Sequence, residues 1–135
     1  LGMGSHEKIA AFFSRGPHAV VGASQDRDKY GNKVLRCYMQ HQRRVFPVNP
    51  HAAQIEGLTA YAALDELPEP VHGLSIITPS YISETIVAQA VALGIGHVWM
   101  QPGAESPNAI QRAETAGLSV IADGSCILVI MGYSE

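Results

Sequence analysis

The segment from Ala19 to Leu35 limits the possible folds more than any other part of the chain. An apolar run ends at Gly22, Ala23 and Ser24, a polar turn follows, and apolar residues then resume with helical spacing. This order predicts a buried strand, a tight loop and the start of a helix. In an open parallel sheet, such a loop presents backbone N–H groups to an anion. We therefore expect the loop to hold the phosphates of a nucleotide-type ligand.

The rest of the sequence alternates apolar runs with helical patterns, joined by short links. Strands are predicted at His18–Ala23, Arg44–Val48, Val71–Thr78, Val98–Gln101 and Leu118–Ala122. Helices are predicted at Glu7–Ser14, Asn32–His41, Tyr81–Leu93 and Pro107–Ala116. The alternation predicts an α/β protein with a single Rossmann-like doubly wound parallel sheet, helices on both faces and the first strand central.

Shorter elements and helix caps complete this interpretation. We expect Gln54–Thr59 to be irregular, Thr59–Tyr61 to add a short edge strand and Leu64–Leu67 to form a helical turn. The segment Ser125–Met131 fits either a strand or a helix. Expected helix caps are Ser5, Ser80 (with Glu84 at capping-box spacing) and Ser106. Residues expected on the buried face of the Tyr81–Leu93 helix are Ile82, Ile86, Ala90 and Leu93.

Length and composition fit one domain spanning residues 1–135, with residues 1–4 expected to be left by cloning or disordered. No apolar run approaches the roughly 20 residues that span a bilayer, and no secretory signal pattern is present. The two cysteines, Cys37 and Cys126, are not in a C-x-x-C pair. This usage favours a reducing, cytoplasmic location.

The charge distribution says more than the net charge of −3, which disfavours nucleic acid as a partner. Most basic residues fall in one stretch: Arg27, Lys29, Lys33, Arg36, Arg43 and Arg44. Only Arg112 follows them. These side chains form either a solvated helix face or a local positive field beside the loop after the first strand, and the two interpretations are compatible.

The loop lacks the usual dinucleotide and mononucleotide fingerprints. Gly22 is followed by Gly31 only far along the chain, so no G-x-G-x-x-G occurs, and the second strand ends at Asn49 rather than at an acidic residue. Both features count against NAD. No G-x-x-x-x-G-K-[ST] segment is present, which excludes a P-loop.

Motifs in a fixed order carry a resemblance to a known family. They are Ala19–Ser24, Val45–Pro50, Leu67–Val71, Val98–Gly103 and Ala116–Asp123. Together they resemble the small stand-alone coenzyme A (CoA)-binding proteins, which are similar to the CoA-binding domain of the succinyl-CoA synthetase alpha subunit. The resemblance runs from about Ile9 to Cys126.

This resemblance implies a set of ligand contacts. Gly22, Ala23 and Ser24 would meet the CoA phosphates, and Asn49 and Pro50 would lie by the adenosine end. Thr78 and Pro79 would form a wall, Met100 and Gln101 the floor, and Cys126 would lie near the ligand. Independently of the resemblance, the first residues of the helix after the loop place Lys29, Tyr30 and Lys33 beside the expected phosphates. Candidates for the cation that meets the ribose phosphate are Lys29, Lys33, Arg43 and Arg44.

The remaining reactive side chains form no catalytic set. Cys126 is either a small buried hydrophobe or a thiol that forms a mixed disulfide with CoA, and Cys37 is expected in the core. The six histidines have no metal-ligand spacing. Ser24 and Ser125 lack the G-x-S-x-G context of a hydrolase, and Asp123 fits a turn residue.

We therefore expect a non-catalytic module that binds CoA or an acyl-CoA. Its expected protein partner, if it has one, is a second copy of the chain or another subunit. An NAD(P)-binding oxidoreductase or its cofactor domain is the alternative. A third hypothesis is an interaction protein with a vestigial nucleotide fold. It would use the apolar segment Ile127–Met131 as an exposed patch.

Overall fold

A computed structural model describes residues 4–135 of the chain, so the expectation for residues 1–3 lies outside the described residues. The strands are β1 (His18–Val21), β2 (Val45–Val48), β3 (Gln54–Ile55), β4 (Leu58–Thr59), β5 (Gly73–Ile76), β6 (His97–Met100) and β7 (Ser119–Ile121). The helices are α1 (Ser5–Phe13), α2 (Tyr30–Gln40), α3 (Ser80–Leu93), α4 (Pro107–Thr115) and α5 (Ile127–Met131), with a 3₁₀ turn at Leu64–Glu66.

The main sheet is parallel and has five strands in the order β2-β1-β5-β6-β7. The predicted α/β class and parallel sheet are confirmed, but β5 rather than β1 is the middle strand. After β2 the chain crosses back over β1, and every later strand is added on that side. Strand order therefore reverses between β1 and β5. Of the predicted edge strand at Thr59–Tyr61, Thr59 belongs to β4 and Tyr61 forms one parallel bridge with Val48.

Both faces of the sheet are covered, as its continuous apolar strands require. Ala19 and Val21 of β1 face the core beneath α3 and α4, whereas Val20 faces the core beneath α1, α2 and α5. Phe12, Tyr38 and Trp99 are the largest fully buried side chains of the second core. Helices pack on both faces of the sheet, so the packed strands fix the positions at which the loops at their carboxyl ends begin.

The predicted caps hold at one helix and fail at two others. Ser106 caps α4, since its hydroxyl accepts the Ala109 N–H at 3.3 Å. Ser80 is instead the first residue of α3, its cap position is Pro79, and Glu84 accepts a hydrogen bond from Ser106 at 2.7 Å. Ser5 likewise lies inside α1, whose cap position is the exposed Gly4.

The buried face of α3 was predicted correctly at Ala90 and Ile86, which pack in or against the core, and wrongly at Ile82 and Leu93. Ser83, Val87 and Ala90 are buried, whereas Ile82 and Leu93 are exposed. The helix is rotated because the buried Ser83 hydroxyl has partners, the Thr78 hydroxyl at 2.8 Å and the Pro79 carbonyl at 3.3 Å. A small polar side chain satisfied in this way packs as readily as an apolar one.

Two further segments differ from the expectation or resolve an ambiguity. Gln54–Thr59 was expected to be irregular but forms the antiparallel β3–β4 hairpin. Glu56 and Gly57 both have positive φ (50° and 79°), as a two-residue type I′ turn requires. Glutamate is uncommon at that position, which hid the hairpin in the sequence. The ambiguous segment after Ser125 contains the helix α5.

Candidate functional site

Strand order reverses between β1 and β5, and in folds of this kind ligands bind at the carboxyl edge of the sheet beside that reversal. We call this place the crevice. Gly22 leaves β1 there with φ of +92°. A Cβ at Gly22 would lie 2.1 Å from the carbonyl oxygen of Ile77, just after β5. Both the turn and the close neighbouring strand therefore require glycine at this position.

Gly31, in the first turn of α2, is a second obligatory glycine, and its role was missed from the sequence. A Cβ at Gly31 would lie 2.0 Å from the carbonyl oxygen of Gly22. The helix thus packs directly on the backbone of the loop. Gly22 and Gly31 perform the tasks of the first and last glycines of a dinucleotide fingerprint, a tight turn and close helix–strand packing. Their wide separation along the chain concealed this.

The loop between β1 and α2 satisfies part of its backbone internally. The Asp26 N–H donates to the Ser24 hydroxyl at 3.1 Å, and the Asp28 N–H donates to the Asp26 carboxylate at 3.0 Å. The N–H groups of Ala23, Ser24, Tyr30 and Gly31 have no hydrogen-bond partner within residues 4–135. Unpaired N–H groups at the positive end of a helix dipole are the arrangement that favours an oxyanion.

Two asparagine side chains hold the carbonyl groups of the loop. Asn49 donates to the Ala23 carbonyl at 2.8 Å and accepts the His51 N–H at 2.6 Å. Asn32 donates to the Ser24 carbonyl at 2.9 Å and to the Glu56 carboxylate at 3.0 Å. Asn49 thus braces the loop through its amide N–H, while its amide oxygen fixes the turn after β2. Glu56, which the sequence analysis did not single out, reaches the loop from the β3–β4 hairpin.

The candidate cations divide between the two edges of the sheet. Lys29 is exposed at the cap of α2 and makes no salt bridge within residues 4–135. Lys33 pairs with Glu135 at 2.9 Å, which raises the pKa of the lysine. Arg43 and Arg44 precede β2 and so lie at its amino end, roughly 10 Å of strand away from the crevice. Those two arginines are therefore not beside the loop.

The second wall of the crevice comes from the start of α3. The Thr78 hydroxyl is bonded to Ser83, and Pro79 and Pro50 are exposed. Tyr30 is 61% exposed at the start of α2 and Tyr81 is 71% exposed at the start of α3. Since α2 and α3 cover opposite faces of the sheet, the two tyrosines flank the crevice from both sides. Tyr81 was missed, because its place in a helical pattern gave no functional signal.

The expected floor residues are mostly interior. Met100 is 1% exposed and packs in the core beneath α3 and α4. Gln101 is 3% exposed, and its amide accepts the Ile127 N–H at 2.8 Å and donates to the Cys126 sulfur at 3.3 Å. Gln101 thus fixes the start of α5, and of these three residues Cys126 is the most accessible. Met100 presents no side-chain surface to the crevice, because alternation along β6 directs it into the core.

The other reactive groups are buried or unclustered. Burial, together with the neighbouring Cys126, raises the pKa of the Cys37 thiol to about 11, so this thiol is protonated at neutral pH. Within residues 4–135 no group of three or more histidine, cysteine or acidic side chains could hold a metal ion. In the same part of the chain no helix is long and apolar enough to cross a membrane.

A parallel sheet that reverses its strand order beside a glycine turn, with helices on both faces, defines an α/β domain with a Rossmann-like fold. Within that class the chain belongs to the CoA binding domain family, whose model matches residues 18–132. The resemblance inferred from the five sequence motifs is thereby confirmed.

Known proteins similar to this chain fall into two size classes. The alpha subunit of acetate–CoA ligase (ADP-forming) II from Pyrococcus furiosus is 26% identical over 121 residues, a match covering 82% of this chain and 26% of that subunit. The chain therefore spans about a quarter of this relative.

Two solved structures are of similar size to the chain. A Thermus thermophilus protein superposes with a TM-score of 0.85 at 31% identity, covering 94% of this chain and 96% of its own. A conserved hypothetical protein from Pyrococcus furiosus does so with a TM-score of 0.79 at 37% identity, covering 84% and 97%.

Proposed function

We propose that this chain binds CoA in the crevice between β1 and β5, with the diphosphate on the loop after β1. The observation that carries the proposal is the set of unpartnered N–H groups at Ala23, Ser24, Tyr30 and Gly31. Two adjacent phosphates carry enough acceptor oxygens to satisfy these donors, and the α2 dipole favours their charge. Membership of the CoA binding domain family supports the same ligand.

The separate ribose phosphate of CoA needs a cation near the same loop. Lys29 and Lys33 lie on the first turns of α2, whereas Arg43 and Arg44 lie at the other edge of the sheet. We therefore assign the ribose phosphate to the two lysines. The exposed ring of Tyr30, between them in the chain, offers a flat surface for the adenine.

Our proposal ends at binding and includes no reaction. Within residues 4–135 no serine or cysteine side chain is hydrogen-bonded to a histidine, so no nucleophile is paired with a base. The ligase named among the relatives is about four times longer than this region. A carrier, a sensor or a subunit of a larger enzyme would each use the domain without chemistry of its own.

Calorimetric titration with CoA, dephospho-CoA, NADH and NADPH tests the ligand. We expect CoA to bind most tightly, and tighter binding of NADH or NADPH would favour the oxidoreductase alternative. Native mass spectrometry of the protein as purified should show a CoA-sized adduct.

A double variant tests the assignment of the ribose phosphate. Lys29→Ala with Lys33→Ala should weaken the binding of CoA on the order of tenfold, because charge-assisted bonds to the ribose phosphate are lost. The binding of dephospho-CoA, which lacks that phosphate, should weaken much less. Arg44→Ala with Arg112→Ala removes the same charge elsewhere and is the matched control. Equal losses for CoA and dephospho-CoA would contradict the assignment.

The exposed side chains of α5 favour a protein partner as a second role. Val129 is 79% exposed and Ile130 is also exposed, so the segment predicted as an apolar patch presents two large aliphatic groups to solvent. Size-exclusion chromatography with and without CoA, on the wild type and on Val129→Ser with Ile130→Ser, tests self-association. A monomer under all conditions would exclude a homo-oligomer built on this patch.

A further inference from the structure

A second cavity lies at the amino edge of the sheet, opposite the crevice between β1 and β5. It has a volume of about 310 Å³ and is bounded by the α1–β1 link and the α2–β2 link. We call it the amino-edge cavity. Among the residues that line it are Phe13, Arg15, Gly16, His18, Arg43 and Arg44.

The amino-edge cavity is positively charged, and none of its lining residues is acidic. The Arg43 guanidinium donates to the carbonyl oxygens of Phe13 (2.8 Å) and Arg15 (3.4 Å), which orient it without neutralising its charge. Arg44 pairs with Glu69 from outside the cavity. Within residues 4–135, Arg15 and Arg43 form no salt bridge. Two cationic charges are therefore available to an anion.

Two buried polar atoms of this cavity's lining have no partner, Nδ1 of His18 and Nε of Arg43. Buried polar atoms in folded proteins nearly always have a partner, so each such exception needs an explanation. Nε2 of His18 lies 2.7 Å from the carbonyl oxygen of Phe12 and must carry the proton of that hydrogen bond. In the neutral ring, Nδ1 is consequently an acceptor.

The histidine stays neutral at pH 7. Burial lowers the pKa of His18 to about 4, and the positive charge of Arg43 and the neighbouring imidazoles of His72 and His97 act in the same direction. The ring of Tyr38, which packs at 5.3 Å between centroids, brings no charge. The cavity thus combines a guanidinium donor with a neutral nitrogen acceptor. The complementary ligand has both an anionic oxygen and an O–H group.

We propose that the amino-edge cavity binds a protonated phosphate group, whose anionic oxygen accepts from Arg43 Nε and whose O–H donates to His18 Nδ1. Arg15 contributes charge at the rim. The exposed link Ser14–Gly16 lies against both side chains, since the Arg15 carbonyl accepts from Arg43 and a Cβ on Gly16 would lie 3.9 Å from Nδ1 of His18. Because both buried atoms are closed off from solvent, the proposed binding requires this link to move aside. Inorganic phosphate keeps a proton at neutral pH and meets this requirement, whereas sulfate has none to donate.

Histidine-selective NMR tests the proposal directly. Inorganic phosphate is added at pH 7 and constant ionic strength, and the ring nitrogens of His18 are followed together with those of the exposed His51. A saturable shift at His18 Nδ1 is expected. Sulfate should bind more weakly on the order of tenfold, because it cannot donate a hydrogen bond to Nδ1 and leaves this buried acceptor unpaired. At pH 5 sulfate should approach phosphate, since binding can then proceed with protonation of His18. No shift at His18, or equal affinity for the two anions at pH 7, would overturn the proposal.

Variants separate this site from general charge effects and from the CoA site. Arg15→Gln should weaken phosphate binding several-fold. Arg43→Lys keeps the charge but removes Nε, and it should weaken phosphate binding on the order of tenfold. Arg112→Gln on α4 is the matched control. If Arg43→Lys does not fold, the phosphate affinity of Arg15→Gln alone tests the site. A loss of phosphate affinity in Arg112→Gln as large as in Arg15→Gln would refute a specific site. Dephospho-CoA affinity should be unchanged in Arg15→Gln, so each proposal can fail independently of the other.

A monoester identifies which source of phosphate the cavity accepts. Phenyl phosphate has a second pKa of about 6, so it is titrated at pH 5.5, where most of it keeps a proton. It should compete there with inorganic phosphate for the His18 shift if the rim leaves room for a substituent. Inorganic phosphate alone is the ligand if phenyl phosphate has no effect on that shift.

Discussion

The buried His18 makes the stability of this protein depend on pH well above the range in which carboxylates titrate. Its pKa is lowered from 6.5 to about 4 on folding, mainly by burial. The folded state therefore resists protonation, whereas the unfolded chain accepts a proton near pH 6.5. A pKa difference of about 2.5 corresponds to about 3 kcal/mol in the free energy of unfolding.

The sign and the pH window follow from these two values. The contribution is complete above pH 6.5 and is lost as the pH falls towards 4, because the unfolded state then binds more protons. At pH 5 the loss relative to high pH is about 2 kcal/mol from His18 alone. Burial also lowers the pKa of His97, which adds to the loss in the same direction. The pKa values of Asp123 and Glu135 are lowered as well, so those groups act at lower pH.

Urea unfolding at pH 7, 6 and 5 in wild type and His18→Gln measures the effect. Glutamine places an amide N–H near the position of Nε2, so the hydrogen bond to Phe12 is retained while the titration is removed. The variant should be less stable at pH 7 but should lose about 2 kcal/mol less than wild type between pH 7 and pH 5. If both proteins lose the same amount, His18 does not control the acid sensitivity and the reasoning fails.

Three further predictions concern α2, α4 and the end of the chain. Gly31→Ala should lower the free energy of unfolding by about 1–3 kcal/mol and abolish CoA binding, because its Cβ would meet the Gly22 carbonyl. Gly96→Ala is the control and should keep CoA binding, since no atom lies within 4 Å of the added Cβ. Equal CoA affinities of the two variants by calorimetry would refute the tight contact. Ser106→Ala should cost about 1 kcal/mol in urea unfolding, and Ser80→Ala should cost much less, since only Ser106 caps a helix. Glu135→Gln removes the salt bridge to Lys33 and should tighten CoA binding roughly two- to threefold at low salt, with little change in stability. An unchanged CoA affinity would show that Glu135 and CoA do not compete for this lysine.

Elements whose signals are local were predictable from the sequence. Continuous apolar runs identified the buried parallel strands, and Ser106 with Pro107 at one end and Gly117 at the other bounded α4. The resemblance to CoA-binding proteins followed from five motifs in a fixed order along the chain, which are also local signals.

Features that depend on three-dimensional neighbours were not predictable in this way. The rotation of α3 depends on a hydroxyl contact between Ser83 and Thr78, which apolar periodicity ignores. Gly31 owes its identity to a carbonyl oxygen nine residues earlier in the chain. The role of Asn49 as a brace for the loop depends on the Ala23 carbonyl across the sheet edge.

The position of Arg43 and Arg44 was the one error that the sequence could have prevented. Both residues precede β2, and a parallel strand fixes which of its ends faces the ligand edge. Their guanidinium groups had to lie at the far edge as soon as the strand direction was assigned. Charge clustering along a sequence does not imply clustering in space when a strand boundary intervenes.

The bare contact between Gly31 and the Gly22 carbonyl has a mechanical consequence. No side chain is interposed there to yield, so a pull on the loop displaces the eleven-residue α2 as one lever. That lever is about 16 Å long and leads into the arginines that border the amino-edge cavity. The Gly31–Gly22 contact therefore fixes the start of α2 against the loop, and the rigid helix carries that placement to the opposite edge of the sheet.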